Sequence, residues 1–207
     1  MRKLWIFLFI AFSVSLMAQN RLDKPEVYFG VNFGQTGSMV GFKPTIDQGF
    51  LLGYNGGGVF RYVGDKYMGL QVELNFSQRG WKEISGLYSR QLNYIELPFL
   101  THMYLGKKNR VFFNVGPKIS YLLSEKVLVN GTANTETQHT TLIQNPFDYG
   151  LCAGLGFLFN LKGNVFQLEA RGYYALSDVF SNDKRDYFAT SNNMNASVNL
   201  AWLIQVK

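Results

Sequence analysis

The chain has 207 residues, 16% of them charged, and a formal net charge of +6. That charged fraction lies well below the roughly 25% usual for soluble domains, while 18 Phe, 12 Tyr and 21 Gly suit a surface that avoids charge and a backbone that bends tightly. The single cysteine, Cys152, excludes an intramolecular disulfide, and a mild basic excess with no clustered stripe gives no case for nucleic acid.

The N-terminus, "MRKLWIFLFIAFSVSLMAQN", has a basic start at Arg2 and Lys3, an apolar run from Leu4 to Met17, and Ala18 before Gln19. This is the pattern of a cleavable signal peptide over residues 1–18, leaving a single mature domain over residues 19–207. Cleavage there takes the net charge from +6 to +4 by removing Arg2 and Lys3. No later apolar run is long enough for a transmembrane helix.

Eight segments then alternate with period two, the signature of β-strands whose successive side chains point to opposite faces. "PEVYFGVNFG" puts Val27, Phe29, Val31 and Phe33 on one face, and "GFLLGYNGGGVFRY" does the same with Leu52, Tyr54, Phe60 and Tyr62. The glycines of the second segment lack the lysine and following helix of a phosphate loop; they ease tight curvature. "YMGLQVELNFS" sets Met68, Leu70, Val72, Leu74 and Phe76 against Gln71, Glu73, Asn75 and Ser77. In "RQLNYIELPFLTHMYL", Ile95, Leu97 and Phe99 oppose Glu96 and His102; in "VFFNVGPKISYL", Val111, Phe113 and Val115 oppose Asn114 and Lys118. "FDYGLCAGLGFLFNL", "VFQLEARGYYAL" and "NMNASVNLAWLIQV" complete the set, with Tyr149, Leu151, Phe166, Leu168, Leu200 and Trp202 on the apolar face.

The apolar face is large and aromatic, and no amphipathic helix exists to cover it. The other face is rich in Gly, Asn, Gln and Ser rather than Lys and Glu. Connections alternate between long and short, with "VGDK", "GKKNR" and "KGN" as the short ones. These features predict an all-β fold, an eight-stranded antiparallel transmembrane up-and-down β-barrel in the outer membrane, with short turns and both termini in the periplasm and lipid against the apolar face. A soluble lipid-binding barrel of lipocalin type is the rival, and it inverts the two faces. Tyr62, Tyr104, Tyr121, Tyr149 and Trp202, near strand ends, are expected in interface girdles. The longest loop, residues 124–146, is expected to carry the strands on as a hairpin above the membrane.

Candidate chemistry is thin. His102 and His139 lie far apart in this topology with no Cys or carboxylate at ligand spacing, so no metal and no cofactor is assigned. His139, Asp148, Ser177, Asp178 and Asp183 lie near the outer rim, where outer-membrane enzymes place such groups, but no nucleophile motif accompanies them; the chain reads as a non-enzyme, with an outer-membrane enzyme as the further alternative. Pro98 and Pro117 fall at nearly the same height on neighbouring strands, which implies either a paired bulge or kink there or a misplaced strand boundary.

The charges that fall on the inward face are Arg61, Glu73, Arg79, Glu96, Lys118, Asp148, Glu169 and Arg171, with Asn32, Asn75, Asn114 and Asn199 between them. A narrow eight-stranded lumen has room for side chains and little else. Glu73, Glu96 and Glu169 are therefore expected to meet Lys118 and Arg171, with Gly69, Gly116, Gly154 and Gly156 making room. That network is expected to act as a structural plug that closes the barrel to general diffusion, and a monomer is expected.

"LQVELNFSQRGW" (70–81), "NYIELPFL" (93–100), "NVGPKISYLL" (114–123) and "YGLCAGLGF" (149–157) resemble the outer-membrane β-barrel proteins of Bacteroidota, the porin-family or PorT-like barrels. The resemblance implies the same barrel over the mature chain, a structural or surface-binding role, and as an alternative an accessory place in a type IX-like secretion or gliding machinery with envelope protein partners. It implies no catalytic residues.

Overall fold

A computed structural model describes residues 21–107, 109–129, 137–181 and 187–206. The signal-peptide assignment to residues 1–18 lies outside the described residues. Eight long antiparallel strands form one closed sheet: β1 (Arg21–Lys43), β3 (Leu51–Asp65), β4 (Met68–Glu83), β5 (Tyr88–Gly106), β6 (Asn109–Val129), β7 (Phe147–Leu161), β8 (Asn164–Asp178) and β9 (Thr190–Gln205). A two-residue strand, β2 (Gln48–Gly49), adds to β4 at the rim. Each long strand pairs with its sequence neighbour, and β1 closes on β9 from Tyr28↔Gln205 to Lys43↔Thr190. Closure leaves no lipid-facing edge, the condition for a sheet to cross a bilayer. Among the described residues no helix is long and apolar enough to cross a membrane.

The alternation decides which face lies inside. Phe33 and Leu200 are 62% and 64% exposed on the outer surface. Their inward neighbours Asn32 and Asn199 hydrogen-bond within the lumen. The faces thus have the membrane sense, and the inverted lipocalin arrangement is not adopted.

The strands run well beyond the roughly 9–11 residues that span a bilayer. β1 has 23 residues and β6 has 21. β1 continues past Gln35, with Thr36, Ser38, Val40 and Phe42 all buried on its inner face. "GWKEISGLYS" contributes Trp81 and Tyr88 to the walls and only residues 84–87 to the turn.

Three expectations need correction. β6 extends above the membrane, but its partner there is β5, through Tyr88↔Val129, and not β7, whose ladder with β6 stops at Tyr121↔Phe147. The return path is instead a short helix, α1 (Thr137–Thr140), followed by irregular chain tied inward by Leu122 N–H to Pro146 O (2.8 Å) and Asn145 Nδ2 to Asp178 O (2.9 Å). The prolines interrupt the pairing at that height but produce no register-shifting bulge. Leu97↔Ile119 and Thr101↔Val115 keep one register on either side, and the ladder only skips residues 99–100 and 116–117, where Pro117 lacks a donor. The bulge in this strand pair lies at Asn93/Tyr94 instead. Finally, Tyr104 is buried and points into the lumen, its hydroxyl donating to Asp65 O (2.9 Å), while Tyr62, Tyr121, Tyr149 and Trp202 face outward.

Candidate functional site: the filled lumen

Buried side chains fill the barrel in layers. At the short-turn end Tyr28, Val59, Val63, Phe112, Leu158 and Leu203 form an apolar floor, with Leu22 packed against it. The eight inward charges come next and divide into two groups, each with two cations and two anions.

The lower group is Arg61, Glu73, Glu169 and Arg171. Arg171 of β8 donates through Nη1 and Nη2 to the two oxygens of Glu73 on β4 (2.8 and 2.7 Å), and through Nε and Nη2 to those of Glu169 (3.0 and 2.8 Å). The planar guanidinium fork matches carboxylates in this way and fixes both. Arg61 reaches neither carboxylate directly. It donates to the side-chain oxygens of Gln71 and Gln167, whose amides donate in turn to Glu73 and Glu169. Asn75 (2.8 Å) and Asn32 (3.2 Å) also donate to Glu73, and Asn114 donates to Glu169 (3.1 Å). His102 Nδ1 in turn donates to Asn114 (2.7 Å).

The upper group is Arg79, Glu96, Lys118 and Asp148. Arg79 lies 3.1 Å from Glu96 through Nε and 2.9 Å from Asp148 through Nη1. Lys118 Nζ donates to both Glu96 oxygens (3.1 and 3.0 Å) and sits 3.6 Å from the centre of the Tyr173 ring. Tyr173 and Ser177 donate to Asp148 (2.7 and 2.8 Å). Cys152 is buried beside Leu100, Tyr173 and Ala175 at this level.

An aromatic stopper closes the long-loop end: Phe42, Trp81, Tyr88, Tyr94, Phe180 and Phe188, with Val40, Leu92 and Val179. Phe42 packs edge-on against Trp81 (5.4 Å) and on Phe188 (4.9 Å). Phe180 and Phe188 come from the loop after β8, so this loop folds into the mouth. Sequence reasoning missed the stopper because it takes every inward position to be polar. It also missed Gln71 and Gln167, although both alternate in phase with Glu73 and Glu169.

Two of the four inward glycines serve as space for long side chains. A Cβ at Gly154 would collide with the Glu169 carboxylate, and one at Gly156 first with Leu168 O of the neighbouring strand and then with the Phe112 ring. Gly69 and Gly116 instead lie against main chain of the neighbouring strand, at Tyr62 O and Phe99 O. The described rim residues have these contacts. Ser177 is bonded to Asp148, while His139 bonds Glu83 (2.7 Å) and stacks on Tyr88 (3.7 Å). Asp178 accepts from Ser191 N–H. Asp183 lies outside the described residues. Among the described residues no group of His, Cys, Asp and Glu could hold a metal ion.

Several solved structures are similar to this chain. Neisserial surface protein A is 10% identical, with 88% of this chain and 99% of that one covered and a TM-score of 0.50. Ail, the attachment invasion locus protein of Yersinia pestis, is 14% identical over 86% of this chain and 99% of that one, with a TM-score of 0.46. OprG from Pseudomonas aeruginosa is 10% identical over 90% and 95%, also at 0.46. Identities this low speak to fold alone. A comparison with curated proteins finds no match. The family model described as outer membrane protein beta-barrel domain matches residues 17–181, most of the chain. With its closed sheet, lipid-suited exterior and this match, the chain belongs to the outer-membrane β-barrel domain family and is a small outer-membrane β-barrel protein.

Proposed function

We propose that this barrel is a closed structural and surface-binding protein of the outer membrane, not a diffusion pore and not an enzyme. The observation that carries the reading is the charge balance of the lumen: each of the two charged groups is internally neutral and cross-linked from wall to wall. Neutral, mutually bonded charges leave no fixed field to select an ion. The apolar floor and the aromatic stopper close the two ends. Function then falls to the outer loops, since the strands are constrained by lipid and closure. Short turns and both termini face the periplasm, the usual arrangement for barrels with one short-turned and one long-looped end. Lipid is the constant partner, and the barrel works as a monomer. Liposome swelling in isotonic small sugars tests the reading: vesicles holding the folded protein should swell no faster than empty ones, and rapid swelling would favour a pore.

The finer placement among the Bacteroidota porin-family and PorT-like barrels rests on the segments at 70–81, 93–100, 114–123 and 149–157. All four are wall strands, so the likeness supports a shared barrel more than a shared task. An accessory place in a secretion or gliding machinery would show as envelope proteins that co-purify with the tagged chain and are lost when the periplasmic turns are replaced.

A further inference from the structure

The net charge of the protein is not spread over it. The lumen is balanced. At the long-loop end Lys43, Lys82, Arg90 and Lys126 are matched in number by described carboxylates. Among the described side chains at the short-turn end, Lys24, Lys66, Lys107, Arg110 and Lys162 face only Glu26 and Asp65. Both carboxylates are already engaged: Glu26 pairs with Arg110 (3.3 Å) and accepts the Tyr28 hydroxyl (2.7 Å), and Asp65 accepts the Tyr67 N–H (3.0 Å). Lys24, Lys66, Lys107 and Lys162 are exposed, and among the described residues none has an ion-pair partner. They come from the start of β1 and from three separate turns, so no run of sequence announces them.

Their position relative to the apolar wall is informative. Lys107 follows Leu105, which is 67% exposed, and Lys162 follows Leu161 at 57%. Lys66 adjoins the exposed Tyr67, and Trp202 faces outward with its indole N–H on Asn164 (3.0 Å), two residues from Lys162. Indole and phenol rings settle at headgroup depth, and lysine stems lie along apolar surface while the ammonium reaches outward. The three turn lysines, Lys66, Lys107 and Lys162, are thus placed to bring their ammonium groups to phosphate height beside the apolar wall.

We infer that this lysine collar binds the headgroups of anionic phospholipids in the leaflet at the short-turn end. The inference rests on the outer-membrane reading above, and narrows its lipid partner to a charge class. Phosphate on a lipid fits better than a soluble polyanion, because the lysines flank lipid-facing side chains on several sides of the barrel and present no single concave surface.

Trp202 supplies the probe, since Trp81 is buried in the lumen. The purified mature chain, residues 19–207, which lacks Trp5, is folded in phosphatidylcholine vesicles and titrated with brominated phosphatidylglycerol and, separately, with brominated phosphatidylcholine. Quenching of Trp202 by either lipid reports membrane insertion; the ratio of the two reports the collar. At about fivefold per lysine near an anionic surface, the native protein should prefer phosphatidylglycerol several-fold, and 1 M salt should abolish the preference. The variant K66Q/K107Q/K162Q should lose most of it while retaining full quenching by phosphatidylcholine, and the loop-end control K43Q/K82Q/K126Q should retain it. Equal quenching by the two lipids, or a preference the triple variant keeps, would overturn the inference while leaving the membrane reading intact. Loss of quenching by both lipids would overturn the membrane reading itself. Retention of the barrel on immobilised heparin through the three lysines, without lipid preference, would replace lipid by a soluble polyanion.

Discussion

Arg171 of β8 and Glu73 of β4 are joined across the lumen by two parallel hydrogen bonds of 2.8 and 2.7 Å, from both terminal guanidinium nitrogens to both carboxylate oxygens. The same guanidinium holds Glu169 on its own strand (2.8 Å). One side chain therefore pairs with two buried carboxylates and staples opposite walls, while Arg61 supplies the second positive charge through Gln71 and Gln167.

Replacing Arg171 with Ala leaves Glu73 and Glu169 buried with only amide partners. The expected cost is about 3–5 kcal/mol in urea unfolding, since removing one partner of a buried ion pair strands the other. The double variant R171M/E73Q removes one cation and one anion at similar volume, leaves Arg61 and Glu169 in balance, and should recover much of that loss. If R171A unfolds at the native urea midpoint, the network does not hold the barrel.

Phe180 packs between Phe42 (6.0 Å) and Phe188 (5.4 Å) with Trp81 edge-on at 6.0 Å. Truncation to Ala should cost about 3–5 kcal/mol, as for a large aromatic in a packed core. Trp81 emission should shift to the red as water enters the mouth. Unchanged emission would mean that the loop after β8 does not seal the long-loop end.

Cys152 is 2% exposed and packs inside the wall near Tyr173. A membrane-impermeant maleimide should label it in the urea-unfolded chain and leave the folded barrel essentially unlabelled over the same time. Fast labelling of the folded protein would show solvent passing through the lumen.

Most of the fold can be read from the chain because lipid and lumen impose opposite polarity on adjacent residues: Phe33 against Asn32, Leu74 against Glu73, Leu168 against Glu169. The signal fades where strands leave the bilayer. In β1 beyond Gln35 the outward Gly37 and Gly41 offer no contrast with inward Thr36 and Val40, so wall passes for loop. It reverses inside the long-loop end, where the lumen is sealed by Phe42, Trp81 and Tyr88 rather than by polar groups. Tyr104 misleads in the same way: a ring near a strand end suits a girdle, but its parity within β5 matches that of inward-facing Glu96 and His102. Which inward charges meet depends on inter-strand stagger. Arg171 lies opposite Gly154 and Ser197 in the ladders, yet its partner is Glu73 on β4, a strand it never pairs with.

Orientation can be tested on intact cells. Residues 130–146 form the longest connection and should be cut by an added protease before any other segment, because loop tips outside the membrane are the preferred sites of nicking. Cleavage confined to residues 106–110 would turn the barrel over.

Whether the lumen is closed is tested most directly by planar-bilayer recording on the purified, unmodified protein. Two neutral charge groups, an apolar floor and an aromatic stopper in series predict a flat baseline, with R171A or F180A giving at most brief, irregular openings. Steady, reproducible single-channel conductance from the unmodified protein would contradict the plug and make an open pore the better description.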